Sequence, residues 1–183
     1  MSKIYLTSDW HFMHNRDFIY KPRGFTNTLE MSQEIVKRYN EIIQPEDHVY
    51  VLGDLMLNDD ETGIKLIKSL KGTIHIIRGN HDTDTRMEFY KNCYNIAEVC
   101  EGKFLNYNGY HFYLTHFPCI CSNFDYEKPL KSRTINLCGH THTPDKFLDW
   151  DKGVIYHVEV DAHNCYPVFL DDILNEIKTK FSA

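Results

Sequence analysis

Five short motifs bring oxygen and nitrogen donors to the ends of apolar runs: Asp9-Trp10-His11, Gly53-Asp54, Gly79-Asn80-His81-Asp82, Thr115-His116 and Gly139-His140-Thr141-His142. The third is the most informative. Thr73-Ile74-His75-Ile76-Ile77 reads as a buried strand rich in β-branched residues, and shortly after it come a glycine, an amide, an imidazole and a carboxylate. Packing gives no reason for three polar side chains to cluster there, whereas strand ends in α/β proteins are where ligand sites are built. Singly each motif is weak, because Asp-x-His or Gly-Asp is common and a histidine near a strand end is more often a satisfied polar residue than a ligand. Together they supply three carboxylates (Asp9, Asp54, Asp82), five imidazoles (His11, His81, His116, His140, His142) and one amide (Asn80). Nitrogen and carboxylate donors without thiolates suit divalent manganese, iron, cobalt, nickel or zinc better than an all-oxygen calcium site. One ion cannot use so many donors. Two ions about 3.5–4 Å apart, bridged by a carboxylate, can.

The elements that must present these motifs alternate between strands and helices. Ile4 to Thr7 is the first strand pattern. A loop rich in aromatic and turn residues follows through Lys21-Pro22-Arg23-Gly24. Asn27 with Glu30 predicts a capping box, and Met31, Ile35, Tyr39 and Ile42 recur at helical spacing until Pro45 ends the helix. His48 to Leu52 is the second strand. A second amphipathic helix carries Ile64, Ile67 and Leu70 and stops at Gly72. This β-α-β-α-β order predicts parallel strands with right-handed crossovers. Residues 83–92 predict a short helix. Strand patterns then cover Tyr94–Val99, Phe104–Tyr107, Tyr110–Thr115, Thr134–Cys138 and Val154–Val160, with an Asn108-Gly109 hairpin turn between two of them. Asp171–Phe181 predicts a terminal helix. Without repeat, low-complexity tract or linker, the expectation is one mixed α/β domain over residues 1–183.

Composition narrows the function classes. The 183 residues carry 20 basic and 26 acidic side chains, a formal charge of −6, with no lysine or arginine block. A protein that grips extended nucleic acid shows a basic face, so a small substrate is expected instead. The six cysteines form no Cys-x-x-Cys pair, which predicts reduced thiols. The strand pattern begins at Lys3, leaving no room for a signal peptide, and no apolar run approaches the roughly 18 residues that span a bilayer. A cytoplasmic location and no membrane partner are expected.

The ordered motif set resembles the calcineurin-like metallophosphoesterase superfamily, and it runs in that family's order from residue 9 to residue 142. The opening Ser8-Asp9-Trp10-His11-Phe12-Met13-His14-Asn15 further resembles small bacterial and phage members. The resemblance implies an α/β fold of two facing mixed β-sheets flanked by helices, a four-layer α/β/β/α sandwich with a dimetal site at its strand ends. It implies that Asp9, His11 and His142 hold a first metal and Asn80, His116 and His140 a second, with Asp54 and a water or hydroxide bridging both. Manganese is the first choice, with iron, zinc, nickel or cobalt as alternatives. His81 is then not a ligand but the group that stabilises or protonates the leaving oxygen. The chemistry is coherent: two dications neutralise phosphate oxygens and lower the pKa of water, and a protonated imidazole serves the leaving group.

Further candidates carry two readings each. Asp82 either orients an imidazole or caps the helix near Thr83. His14 either reaches the substrate or is a solvated loop residue. Arg23 either contacts a phosphate or base or decorates a turn. Asp161 and His163 are candidates for the rim, while His48, His75, His111 and His157 lie within strand patterns and read as structural. The function expected is hydrolysis of a small phosphoester, a phosphodiester or nucleotide-type substrate. Alternatives are a nucleotide or sugar phosphomonoesterase and a non-catalytic metal-binding scaffold. A protein phosphatase is disfavoured because Gly53-Asp54-Leu55-Met56-Leu57-Asn58-Asp59 lacks the arginine of that branch's second motif, and a nuclease by the short chain and its charge. Substrate, native metal and oligomeric state depend on loops, mainly residues 12–26 and 117–133.

Overall fold

The computed structural model describes residues 2–121, 128–148 and 153–181. Strands β1 (Ile4–Thr7), β2 (His48–Val51), β3 (Thr73–Ile77) and β4 (Ile96–Cys100) lie side by side and parallel. The short β9 (Val168–Phe169) adds antiparallel to β1, giving the order β4-β3-β2-β1-β9. Helices α1 (Asp17–Tyr20), α2 (Thr28–Ile42), α3 (Asp60–Lys68) and α4 (Asp84–Lys91) fill the connections between β1 and β4. The second sheet has the order β5-β6-β7-β8, from β5 (Lys103–Tyr107), β6 (Tyr110–Leu114), β7 (Thr134–Cys138) and β8 (Ile155–His157). β5 and β6 form the expected hairpin, with Asn108 and Gly109 at φ of 50° and 77°, as a two-residue primed turn requires. β6, β7 and β8 run parallel. The two facing mixed sheets with helices match the expected fold class.

Successive strand residues face opposite sides, and both sides of the first sheet are covered. Val49, Val51, Ile74 and Ile76 therefore point one way, against Met31, Ile35 and Tyr39 of α2, Ile67 of α3 and Met87 and Tyr90 of α4. Leu6, Tyr50, Leu52 and Ile77 point the other way, into an inter-sheet core with Phe112, Leu114, Ile135, Leu137 and Tyr156. Leu170, Ile173, Leu174 and Ile177 of the last helix, α5 (Leu170–Phe181), join that core. Fully burying each such side chain is worth about 1.5–3 kcal/mol. No helix among the described residues is long and apolar enough to cross a membrane.

Three local expectations change. The box at α2 is shifted: Asn27 caps Glu30 N, while the Glu30 carboxylate reaches back to Thr26 instead of Asn27. Residues 17–20, read as loop, form a helical turn because Ile19 and Tyr20 find burial. The strand expected over Val154–Val160 stops at His157. Its continuation leaves the second sheet, Glu159 bridging Ser8 and Val160 N donating to Ser8 O at 3.2 Å. That crossing ties the two sheets together at the edge where β1 ends.

Candidate metal centre

The chain leaves three of the motif-bearing strand ends, those of β1, β2 and β7, in an unusual backbone conformation. Asp9, His11, Asp54, His140 and His142 all have positive φ, of 57°, 49°, 56°, 77° and 51°. A non-glycine residue there sacrifices about 1–2 kcal/mol. Such strain persists only where the surroundings over-determine it, and it gathers at functional sites. The turns are also tight. A Cβ at Gly79 would collide with Asp54 Oδ1 and the Asp54 backbone, and one at Gly139 with Asp9 Oδ2 and Ser8 Oγ. Gly53, at φ 92°, would press on Gly79 and His116. Gly79 and Gly139 thus clear the volume that the Asp54 and Asp9 carboxylates occupy, and Gly53 that of the third-motif turn and the His116 ring.

The donor atoms converge. His11 Nε2 lies 3.1 Å from His142 Nε2, 3.9 Å from Asp9 Oδ1 and 3.5 Å from Asp54 Oδ2. His142 Nε2 is 3.8 Å from Asp9 Oδ1. On the other side, His116 Nε2 lies 2.9 Å from Asn80 Oδ1, 3.2 Å from His140 Nδ1 and 3.6 Å from the same Asp54 Oδ2. Asp9–His11–His142 and Asp9–Asp54–His116 each offer donor atoms within 4.8 Å of one another. Asp9, Asp54, His11 and His116 are buried, and Asp9 Oδ1 has no hydrogen-bond partner. An unpaired buried carboxylate oxygen facing imidazole nitrogens is costly unless a cation compensates it. The donor set therefore fits divalent metal.

The protonation pattern agrees. Burial pushes the Asp9 carboxyl up to about 6, against the pull of His116 and His142. Burial, then the neighbouring His142 and Arg23, hold the His11 imidazolium well below its usual range. His116 Nδ1 is 2.8 Å from Leu52 O, so it carries the proton and leaves Nε2 free to ligate. His142 Nδ1 likewise donates to Asp161 Oδ2 at 3.0 Å and turns Nε2 inward.

Several expected site residues stand behind the donors. The Arg23 side chain is 2% exposed and grips Asp161 through Nε and Nη2 at 2.8 and 2.7 Å. It also donates to Asp9 O at 2.9 Å and Trp10 O at 3.3 Å. This geometry makes it a brace for the first motif, neither a turn ornament nor a group facing a substrate. His14 is 8% exposed with its Nδ1 3.1 Å from His11 Nδ1, so it is not a solvated loop residue and supports His11. Asp82 takes neither of its two readings. Its carboxylate accepts from Asp54 N, Leu55 N, Gly79 N and Tyr90 Oη at 2.8, 3.3, 2.9 and 2.9 Å, stapling the second motif to the third, while Thr83 caps α4. Of the two rim candidates, Asp161 sits behind His142, whereas His163 bonds to the His157 carbonyl at 2.9 Å.

His81 differs from the other imidazoles. Its side chain is 40% exposed, with Nε2 3.9 Å from Asp54 Oδ2. Its backbone is pinned on both sides, N donating to Asp54 Oδ1 at 2.9 Å and O accepting from Arg86 Nη1 at 2.7 Å. Glu159, fully buried, accepts from Thr143 N at 2.5 Å and Thr141 Oγ1 at 3.1 Å and so holds the loop bearing His140 and His142. Neither Arg86 nor Glu159 stood out in the sequence; the one signal was a charged residue inside the apolar run Val158-Glu159-Val160. His48, His75 and His111 bond within the sheets, and His157 bonds to Thr141 beneath the last motif.

Residues 2–158 match the calcineurin-like phosphoesterase superfamily domain. An uncharacterized protein of Methanocaldococcus jannaschii, MJ1445, is 34% identical over 188 residues, covering 97% of this chain and 93% of its own. Among solved structures, the protein of unknown function AQ665 from Aquifex aeolicus superimposes with a TM-score of 0.74 at 21% identity, over 96% of this chain and 100% of that one. An archaeal phosphodiesterase superimposes with a TM-score of 0.50 at 17% identity, over 88% of this chain and 86% of that one. At such identities the structural likenesses speak for the fold, and the sequence matches carry the family. The chain belongs to the calcineurin-like phosphoesterase superfamily.

Proposed function

We propose that this chain is a phosphoesterase that hydrolyses a small phosphoester, a phosphodiester or nucleotide-type substrate, with two divalent ions of which manganese is the first choice. Asp9, His11 and His142 would hold one ion and Asn80, His116 and His140 the other, with Asp54 shared between them. The observation that carries this reading is the Asp54 carboxylate, whose Oδ2 lies between His11 Nε2 and His116 Nε2 at 3.5 and 3.6 Å. When bound, such ions neutralise phosphate oxygens and make water a competent nucleophile near neutral pH. The protein contributes position. Asp82 and Glu159 fix the turns that carry the donors, and the Arg23–Asp161 pair fixes the first motif against His142. His81, the partly exposed imidazole of the third motif, presents Nε2 to the leaving oxygen and gives it a proton; such groups typically supply about 10²–10⁴-fold.

A small substrate, and not extended nucleic acid, agrees with the charge of −6. All six cysteines are unpaired, which supports a reducing, cytoplasmic setting. The test is hydrolysis of an aryl phosphodiester and the matching monoester by chelator-stripped protein, with and without added manganese. Manganese-dependent turnover supports the reading, and the preferred ester separates diester from monoester chemistry. Two bound ions with no turnover of either ester would favour the non-catalytic scaffold.

A further inference from the structure

Two large apolar rings stand in solvent beside the metal centre, one on each flank. Phe18 is 70% exposed, although Ile19 and Tyr20 in the same turn are buried. Its ring meets His14 edge-on at 6.0 Å, and His14 lies 5.1 Å from His11 and 6.0 Å from His81. Phe117 follows His116 directly and is 49% exposed. Its ring centre is 4.5 Å from that of His140 and 5.0 Å from that of His116. Phe18 therefore borders the Asp9–His11–His142 side and Phe117 the Asn80–His116–His140 side. Leaving a phenylalanine in water forfeits the free energy its burial would release. A substrate ring stacked on it recovers that free energy. Arg16, on the same rim as Phe18, is exposed and makes no ion pair among the described residues, so a cation stands open to an anionic substrate in an otherwise acidic chain.

We propose that the site takes a phosphodiester with a flat ring system on each side of the phosphate, two nucleosides joined through one phosphate, one base stacking on Phe117 and the other on Phe18. The inference rests on the phosphoesterase reading above and deepens it. A monoester has one organic group and leaves one ring without an occupant; a diester with two bases serves both. Every base has a π-face, so such stacking tolerates any base sequence. In the reaction the oxygen of water bonds to phosphorus, one P–O ester bond breaks, and the departing alkoxide takes a proton. The products are a nucleoside and a nucleoside monophosphate.

The test compares two substrates of the manganese-loaded full chain: a diadenosine monophosphate, and adenosine methyl phosphate, in which methyl replaces one nucleoside. Stacking of one base predicts a kcat/KM at least about tenfold higher for the first. Phe18→Leu and Phe117→Leu keep the apolar bulk but remove the ring, and each should lower kcat/KM for the diadenosine monophosphate about tenfold, mainly through KM. A second readout needs no turnover. Adenine protons of the methylene-phosphonate analogue should shift upfield by ring current on the zinc-loaded chain, with one base losing its shift in each variant. Equal kcat/KM for the two substrates with no upfield shift would overturn the proposal. Turnover of an aryl phosphodiester without binding of the analogue also overturns it, while leaving the phosphoesterase reading in place. Shifts that depend on both phenylalanines support the stacking site even if no ester is cleaved, and the phosphoesterase reading alone then fails.

Discussion

Asp161→Asn isolates the brace behind His142. The substitution keeps the shape of the side chain and a hydrogen-bond acceptor for His142 Nδ1, but removes the charge that faces Arg23. That guanidinium is 2% exposed, so its loss of a partner is felt at low dielectric. The neighbours hold the Asp161 carboxyl down to about 2 from 3.8: burial opposes this, and the His142 and Arg23 bonds overcome it. By linkage, that difference is worth about 2 kcal/mol at neutral pH, and it is lost only as the pH falls below the unfolded value and through the folded one. Breaking a buried pair from one side costs about 3–5 kcal/mol. Arg23 keeps two backbone carbonyl acceptors, which brings the expected cost below that range, to about 2–3 kcal/mol. At about 2–4 °C per kcal/mol for a domain of this size, the melting temperature of metal-free protein should fall by about 4–12 °C. Loss of a charged partner behind a ligating histidine typically weakens metal binding about 10–100-fold. Calorimetric titration of chelator-stripped protein should therefore find one weakened manganese site, the one built on His142, and one intact. Unchanged affinity at both sites together with a melting shift under about 1 °C would mean that Asp161 does not brace His142. Arg23→Met added to Asp161→Asn should restore part of the stability, since it removes the stranded cation.

His81→Ala should lower turnover at least about tenfold while two ions stay bound; unchanged turnover removes this imidazole from the mechanism. Asp54→Asn should weaken both ions together in a calorimetric titration, and loss of only one would mean that the carboxylate does not bridge. Gly79→Ala places a methyl group against Asp54, and overpacking of this kind costs about 1–3 kcal/mol, read as a lower melting temperature together with poorer metal loading. Metal loading should also depend on pH. Asp9 must be ionised to ligate, and burial raises its carboxyl to about 6, so manganese affinity at the first site should fall as the pH drops through about 6; a flat profile between pH 7.5 and about 5.5 would contradict this.

Much of the architecture follows from short-range pattern. β1, β2 and β3 are apolar on both faces because both are covered, and their ends were legible because Gly53-Asp54 and Gly79-Asn80 interrupt apolar runs abruptly. The side chains that gather at the centre were likewise visible, since a donor at a strand end is a local feature and parallel strands bring such ends to one edge. Periodicity could not say that β4 joins the first sheet, that β6, β7 and β8 run parallel, or that the last strand pattern breaks at His157 to reach Ser8. Those choices depend on which faces remain to be buried once the other elements have packed.

The supporting residues were hidden for the same reason. Beside Arg23, the sequence displays Pro22 and Gly24 and speaks only of a turn; its partner Asp161 is 138 residues away. Asp82 sits next to an imidazole and one residue before a helix cap, yet its bonds go to the backbone of Asp54, 28 residues earlier. His14 looked like a loop residue until the turn at His11 folded it inward. Which donors exist and at which strand ends they stand is written along the chain, because a linear pattern records periodicity and punctuation. Tertiary structure alone decided which charged groups would be buried together behind those donors, because desolvation makes each such group find its partner in space, not along the chain.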